Sequence, residues 1–454
     1  MKVAIVGGGV SGLSAAYQLQ KSGVEFTLFE SSARLGGVIR TESVGDFLME
    51  AGPDSFLSEK PAARELCSEL GLEGELIGSN DSRRKTYVVV NGKLIPLPDG
   101  LQFFVPTDPL ATFFSPLFPL ATKMKFLGEW FASRREAQQD ESIAEFVTRH
   151  FGAEAVDRLA DPLLAGVYGG QARDLSVQAV LPRMAKIEAE HGSLIRGMMA
   201  ARRNLPGERP PIFTTLKNGM QQMVDSLVAS LPAASIKKNR EVSEVLRGEK
   251  SWKLRFAATT QEFDALIVAA PAPVAGRLLQ SAAADVAGQL QAIRYSSSMI
   301  VQLAFPQSRA PRLPQGFGVL VPRSEQKRVR AITFVQEKFE GRVPGGGALL
   351  RLFLGGMADQ EIVRASDEVV ISTVKKELLE ILNVREEPVA VRIFRWPMAM
   401  AQYEVGHLTR VGVIERRLKE LPTLALAGNA YSGIGVPDCI RSGREAARKL
   451  MAKK

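Results

Sequence analysis

Residues 2–6, "KVAIV", form a short apolar run of the kind a strand shows when both of its faces are covered. "SGLSAAYQLQKSG" at 11–23 follows with helical spacing and stops at Gly23, and "VEFTLFE" at 24–30 returns to strand and ends on Glu30. The opening is a compact βαβ unit. Further on, 61–72 predicts a helix. "RRKTYVVVNGKLIPLP" at 83–98 predicts a hairpin turning at Asn91-Gly92, a dipeptide that tolerates positive φ. Residues 140–203 keep helical spacing. Strands return within 236–270, in "KSWKLRF" and "FDALIVAAP". Between 286 and 395, "MIVQLAF", "GFGVLVP", "RAITFV" and "ALLRLFL" read as strands and 366–383 as a helix. "TLALAGNAYSGIGVPDCIRSGREAARKL" closes the chain as a strand, a glycine-rich turn and a helix. There is no internal repeat and no low-complexity segment.

One stretch breaks the pattern. Residues 101–131 hold seven of the 22 phenylalanines and one of the three tryptophans, a density that calls for a purpose. Within it, 109–122 is uncharged but interrupted by Pro116 and Pro119, too short for a span of about 20 apolar residues. The expectation is a segment lying at a bilayer surface, with Lys123, Lys125, Arg134 and Arg135 towards lipid head groups. A helical core or a contact between two copies is the alternative.

Composition narrows the classes. A chain of 454 residues implies two or three domains, and 45% hydrophobic with 24% charged residues is ordinary for a folded protein. The formal charge of +9 would suit nucleic acid, anionic lipid or an acidic small molecule. No zinc-finger spacing, RNA-binding signature or basic tail is present, so nucleic acid is not expected. Cys67 and Cys439 have no CxxC partner, which excludes a disulfide scaffold and points to a reducing compartment. His150, His191 and His407 stand in no ligand spacing, so no metal is expected. A strand beginning at Lys2 leaves no room for a cleavable signal peptide, and a cytoplasmic location is expected.

The chemistry lies in the glycines. Gly7, Gly9 and Gly12, with Gly8, Val10 and Ser11 between them, form G-x-G-x-x-G between a strand and a helix. The first glycine closes the turn, the second admits a pyrophosphate to the backbone, and the third lets helix and strand approach. The helix N-terminus offers free N–H groups to phosphates. Glu30 stands about 20 residues on, where a ribose-binding acid is expected. Beyond it, "SSARLGG" supplies Arg34, Gly36 and Gly37, a second turn with a cation that suits a longer, resident ligand. Gly433 and Gly435 precede a helix starting near Pro437 and Asp438, whose N-terminus would favour negative charge on a reduced flavin ring. A nicotinamide half-site needs no such second site. FAD, bound non-covalently, is the expected cofactor.

Here the sequence resembles a known family. "GGGVSGLSAAYQLQKSGVEFTLFESSARLGGVIRT" is similar to the flavin amine oxidase superfamily. "EAGPDSFL", "AGVYGGQARDLS", "GFGVLVP", "RWPMAMAQY" and "LALAGNAYSGIGVPDCIRSG" look like blocks of the oxygen-dependent protoporphyrinogen oxidases, over nearly the whole chain. The resemblance implies that Gly7 to Gly12, Glu30, Ser31, Arg34, Gly37 and Gly52, Pro53, Asp54 and Ser55 hold FAD. It further implies Val242 at the adenine, Trp396 near the cofactor, and Ile434, Gly435 and Val436 beside the flavin ring. For the substrate it implies Arg84 on a propionate, with Phe317, Leu320 and Gly166 as walls of a slot.

The activity so implied is the six-electron oxidation of protoporphyrinogen IX to protoporphyrin IX in haem synthesis. Three hydride transfers to flavin N5 would be matched by three O2 reduced to hydrogen peroxide, with a quinone as the alternative acceptor and no general base assigned. Coproporphyrinogen III, with four propionates instead of two, is the nearest alternative and would favour a more basic pocket, for which Arg83, Lys85, Arg323 and Arg351 are candidates. The strand "YSSSMIVQLAF" lacks the lysine that amine oxidases typically carry near N5, which disfavours that rival. A flavin-bound carrier without turnover is the rival from another class. The expected partners are the porphyrinogen, O2, the membrane surface, ferrochelatase and a second copy of the chain.

The fold expected is α/β and α+β. It comprises a Rossmann-like FAD domain (1–80, 211–285 and 391–454), a mixed-sheet substrate domain (81–98 and 286–390) and a helical membrane-associated insert (99–210).

Overall fold

The computed structural model describes residues 1–134, 139–203 and 210–452; Arg135, counted above among the lipid-facing cations, lies outside them. Lys2–Val6 is the central strand of a five-stranded parallel sheet. Glu25–Phe29 and Ala265–Val268 flank it, and Ile236–Lys237 and Leu424–Leu426 form the edges. Val3 and Ile5 pack with the helices Val10–Lys21, Gln221–Ala229 and Val436–Met451. Ala4 and Val6 pack on the other face with Trp252 and Leu254 of a three-stranded antiparallel sheet. Coverage on both faces is why this strand reads as an unbroken apolar run.

The second sheet has seven strands, in the order Ala390–Ala401, Tyr295–Phe305, Ala348–Gly355, Ala331–Phe334, Gly318–Leu320, Thr86–Val90 and Lys93–Pro96. It is mixed, because Gly318–Leu320 runs parallel to Thr86–Val90 while its other pairings are antiparallel. The hairpin turns at Asn91 (φ 51°) and Gly92 (φ 72°). One face packs on the helix Asp367–Leu382, and the other turns Val88, Leu320 and Ala331 towards the helical segment. One expected boundary moves. Residues from 391 were assigned to the nucleotide domain, but Ala390–Ala401 pairs along Tyr295–Phe305 through a bulge at Ser296/Ser298, so this sheet continues to residue 401.

The aromatic stretch becomes two helices, Pro109–Phe114 and Leu120–Glu129. Phe104, Phe118 and Phe126 turn inward onto Phe151 and its neighbours. Leu110, Phe114, Leu120, Met124, Leu127 and Phe131 stay exposed, Phe114 at 77% and Phe131 at 79%. Leu120, Met124, Leu127 and Phe131 recur at helical spacing, so they share one face. The inner side is anchored by a buried ion cluster. Glu129 accepts from Leu194 N at 2.5 Å, Ser193 Oγ at 2.8 Å and His150 Nδ1 at 3.0 Å, and His150 Nε2 meets Glu188 at 3.1 Å. Arg149 bonds Glu188 and Glu141 beside it.

Candidate active site

The opening turn is set by the absence of side chains. A Cβ on Gly12 would lie 1.9 Å from Gly7 O, and Gly7 itself has φ +112°. Gly9 precedes the helix Val10–Lys21 with no side-chain cap and no acid in the first turn, which leaves its N–H groups to an anion. Glu30 lies against this turn, accepting from Gly8 N at 2.7 Å and Ser32 N at 2.8 Å, with Ser31 Oγ at 3.3 Å. Gly36 N donates to Gly8 O at 2.8 Å, so the second glycine turn lies on the first. Arg34 spends its guanidinium on that turn, on the carbonyls of Leu35, Gly37 and Ile39. Arg240 N donates to Glu30 O at 2.8 Å, which brings the neighbouring Val242, buried with Val6 and Phe29, to the same end. These donors, the acid and the side-chain-free turn fit a dinucleotide.

Two distant segments complete this face. Ala51 N donates to Arg40 O at 2.8 Å, and a Cβ on Gly52 would lie 1.8 Å from Val38 O, so Gly52, Pro53, Asp54 and Ser55 follow directly on the Gly37 turn. Trp396 Nε1 donates to Ala51 O at 2.6 Å. The closing helix crosses the first so closely that a Cβ on Gly443 would lie 2.0 Å from Ser11 O. Val436 is buried with Val10 and Leu13, and Ile434 borders the other core. Gly433 N donates to Tyr403 Oη at 2.8 Å, and Tyr403 Oη donates to Asn429 O at 2.9 Å. The start of this helix is less open to negative charge than expected. Gly435 N meets Asp438 at 3.3 Å, and that carboxylate is held by Lys60 at 2.6 Å.

Of the residues expected at the substrate, Arg84 is exposed and has no side-chain partner among the described residues. Phe317 N donates to Lys85 O at 2.7 Å, so Phe317 and Arg84 share one end of the sheet. Leu320 is packed with Leu164 in the core facing the helical segment. Gly166 lies in the helix Asp161–Tyr168, and a Cβ there would meet nothing within 4 Å. Tyr168 at the end of this helix meets Tyr403 (ring centroids 5.9 Å apart), which connects it to the closing loop. Sequence reasoning gave no role to Tyr403 and Asn429, although both lie inside quoted blocks, nor to Lys60, whose partner Asp438 is remote in sequence.

A dinucleotide turn at one end of the chain, a tightly packed closing helix at the other, and a second sheet facing both define a flavin-dependent oxidoreductase. The chain belongs to the flavin containing amine oxidoreductase family, which residues 10–451 match, and its cofactor is FAD. It is 32% identical over 458 residues to the coproporphyrinogen III oxidase of Bacillus subtilis, covering 98% of this chain and 96% of that one. It is 28% identical to protoporphyrinogen oxidase 2, chloroplastic/mitochondrial, of Arabidopsis thaliana, covering 98% and 93%. A solved structure of a candidate protoporphyrinogen oxidase from Exiguobacterium sp. 255-15 superposes with a TM-score of 0.90 at 28% identity, covering 100% of this chain and 99% of that one. The resemblance drawn from the sequence holds.

Proposed function

We propose that this flavoenzyme oxidises coproporphyrinogen III to coproporphyrin III in haem synthesis, with O2 as electron acceptor. The whole-length likeness to the Bacillus enzyme carries this choice and moves protoporphyrinogen IX, the first expectation from sequence, to second reading. Bound FAD supplies a two-electron acceptor, so three turnovers remove the six electrons.

The protein's share is position and charge. Of the cations considered for carboxylates, Arg83 pairs with Glu337 at 3.3 Å, Arg323 lies 3.4 Å from Asp161, and Arg351 lies 3.0 Å from Asp54. Arg84 has no such partner among the described residues, and Lys85 is exposed beside it. A guanidinium there can grip a propionate bidentately. No residue is assigned to proton transfer. His150 is held between carboxylates, and His407 stacks on Tyr403 at 4.0 Å with its pKa pushed down to about 4 by burial. Orientation over the acceptor carries the rate instead.

Coproporphyrinogen III is expected to surpass protoporphyrinogen IX by about tenfold in kcat/KM, a margin of the size one charged contact supplies; the opposite order restores the second reading. In the same assay Arg84→Ala should raise KM about tenfold with bound flavin per chain unaltered. An unchanged KM removes Arg84 from the substrate.

A bilayer surface is the other element of this reading. No helix among the described residues is long and apolar enough to cross a membrane. The support is the exposed face from Leu110 to Phe131 with Lys123, Lys125 and Arg134 alongside. Phe114→Ser with Phe131→Ser should weaken co-sedimentation with anionic vesicles at least tenfold, since each buried phenyl contributes about 1.5–3 kcal/mol. Equal sedimentation of parent and variant would reject the bilayer.

A further inference from the structure

Four side chains of the seven-stranded sheet and its margin reach one short stretch of the nucleotide side. Gln302 Nε2 donates to Glu50 O at 2.8 Å, Trp396 Nε1 to Ala51 O at 2.6 Å, and Arg351 Nη2 to Gly52 O. Arg351 Nη1 lies 3.0 Å from Asp54, and Lys338 Nζ donates to both oxygens of that carboxylate, at 2.9 and 3.1 Å. Lys338 also reaches Ser55 Oγ at 3.3 Å. Three consecutive carbonyls and the next carboxylate are therefore held from outside their own segment. The opposite side is closed, because Gly52 lies against Val38 O.

Stability alone is a poor reason for such a cluster. The side chains of Arg351 and Lys338 are 5% and 12% exposed, and apolar residues of similar volume in such places often stabilise as well or better. Fixed hydrogen-bond directions give something apolar packing does not, namely one position for the backbone they grip. Arg351, considered above for a substrate carboxylate, is committed to this task.

We infer that Gln302, Arg351, Trp396 and Lys338 are positioning residues for the cofactor, clamping residues 50–55 where Gly52 to Ser55 border the FAD. The inference rests on the reading of those four residues as part of the FAD site. It also makes the substrate-side sheet a structural element of cofactor binding.

The test uses Arg351→Met and Trp396→Phe, the second of which keeps an aromatic ring and deletes one N–H. Each is stripped of flavin and titrated with FAD by fluorescence quenching, with the melting of the apoprotein followed in parallel. The Kd for FAD is expected to rise about tenfold in Arg351→Met and severalfold in Trp396→Phe, with partial recovery in Arg351→Lys. Val374→Ala, which loosens the far face of the same sheet, should leave the Kd within twofold. Variants that fold and bind FAD like the parent overturn the inference, as does an equal loss in Val374→Ala. If Arg351→Met does not fold, Trp396→Phe decides. A parent that binds FAD yet ignores both porphyrinogens would sink the substrate reading and leave the clamp standing.

Discussion

Gly12→Val is expected to purify as a folded but colourless protein, with bound flavin falling below about a tenth of the parent's. The cause is steric and local. The first Cβ atom at this position would sit 1.9 Å from Gly7 O, a backbone atom that cannot rotate away. Either the helix Val10–Lys21 backs off or the turn opens, and both move the N–H groups that would meet the pyrophosphate. Overpacking of this kind costs about 1–3 kcal/mol, and about 1.4 kcal/mol is already tenfold in affinity. Gly288→Ala is the control. A Cβ on Gly288 meets nothing within 4 Å inside the helix Ala284–Gln291, so that variant should stay yellow and melt no lower than the parent. Visible absorption of the purified proteins reads both, and a yellow Gly12→Val would show that the glycine turn is not where the cofactor binds.

This turn was legible in the sequence because three signals coincide there: an apolar run, glycines at fixed spacing, and an acid at the end of the next strand. The hairpin at Asn91-Gly92 was legible for a similar reason, since positive φ at both residues is a demand the chain meets locally. The rest depended on partners far away. Gln302 and Arg351 sit inside apolar strands, and their acceptors, Glu50 and Gly52, lie 252 and 299 residues upstream. No window of sequence could pair them. Residues 391–401 were expected in the FAD domain because their pairing with Tyr295–Phe305 leaves no local pattern. In the aromatic stretch the count of phenylalanines was informative but their directions were not. Phe126 is buried between Phe118 and Phe151, while Phe131, five residues on, stays exposed.

Glu129→Leu should unfold the helical segment at markedly lower urea, at a cost of about 3–5 kcal/mol, the range for removing one partner from a buried ion pair. The carboxylate holds Ser193 Oγ, Leu194 N and His150 together at the end of the helix that carries the exposed apolar face. Without it, donors at the start of the helix Leu194–Arg203 and the His150 ring lose their acceptor, and leucine cannot replace it. The cost should depend on pH. Burial opposes the charge on His150, but hydrogen bonds and attraction from Glu129 and Glu188 outweigh it and raise its pKa above 6.5. A raised histidine stabilises fully below its unfolded value, about 6.5, and loses that contribution as pH rises through the folded value. Glu188 sets the acid limit. Burial alone would raise its pKa, but His150 and Arg149 bring it down to about 2, so its contribution is present above about 4.5 and lost as pH falls towards 2. The cluster is therefore strongest between about pH 4.5 and 6.5, and Glu129→Leu should cost more at pH 6 than at pH 9. Urea unfolding at the two pH values, followed by amide exchange in the helix Ile143–Phe151, measures the difference. Equal costs would mean that Glu129 acts only through its bonds to Ser193 Oγ and Leu194 N, whatever the charge on His150. A larger cost at pH 6 would tie the apolar face, whatever surface it meets, to the charge state of a single buried histidine.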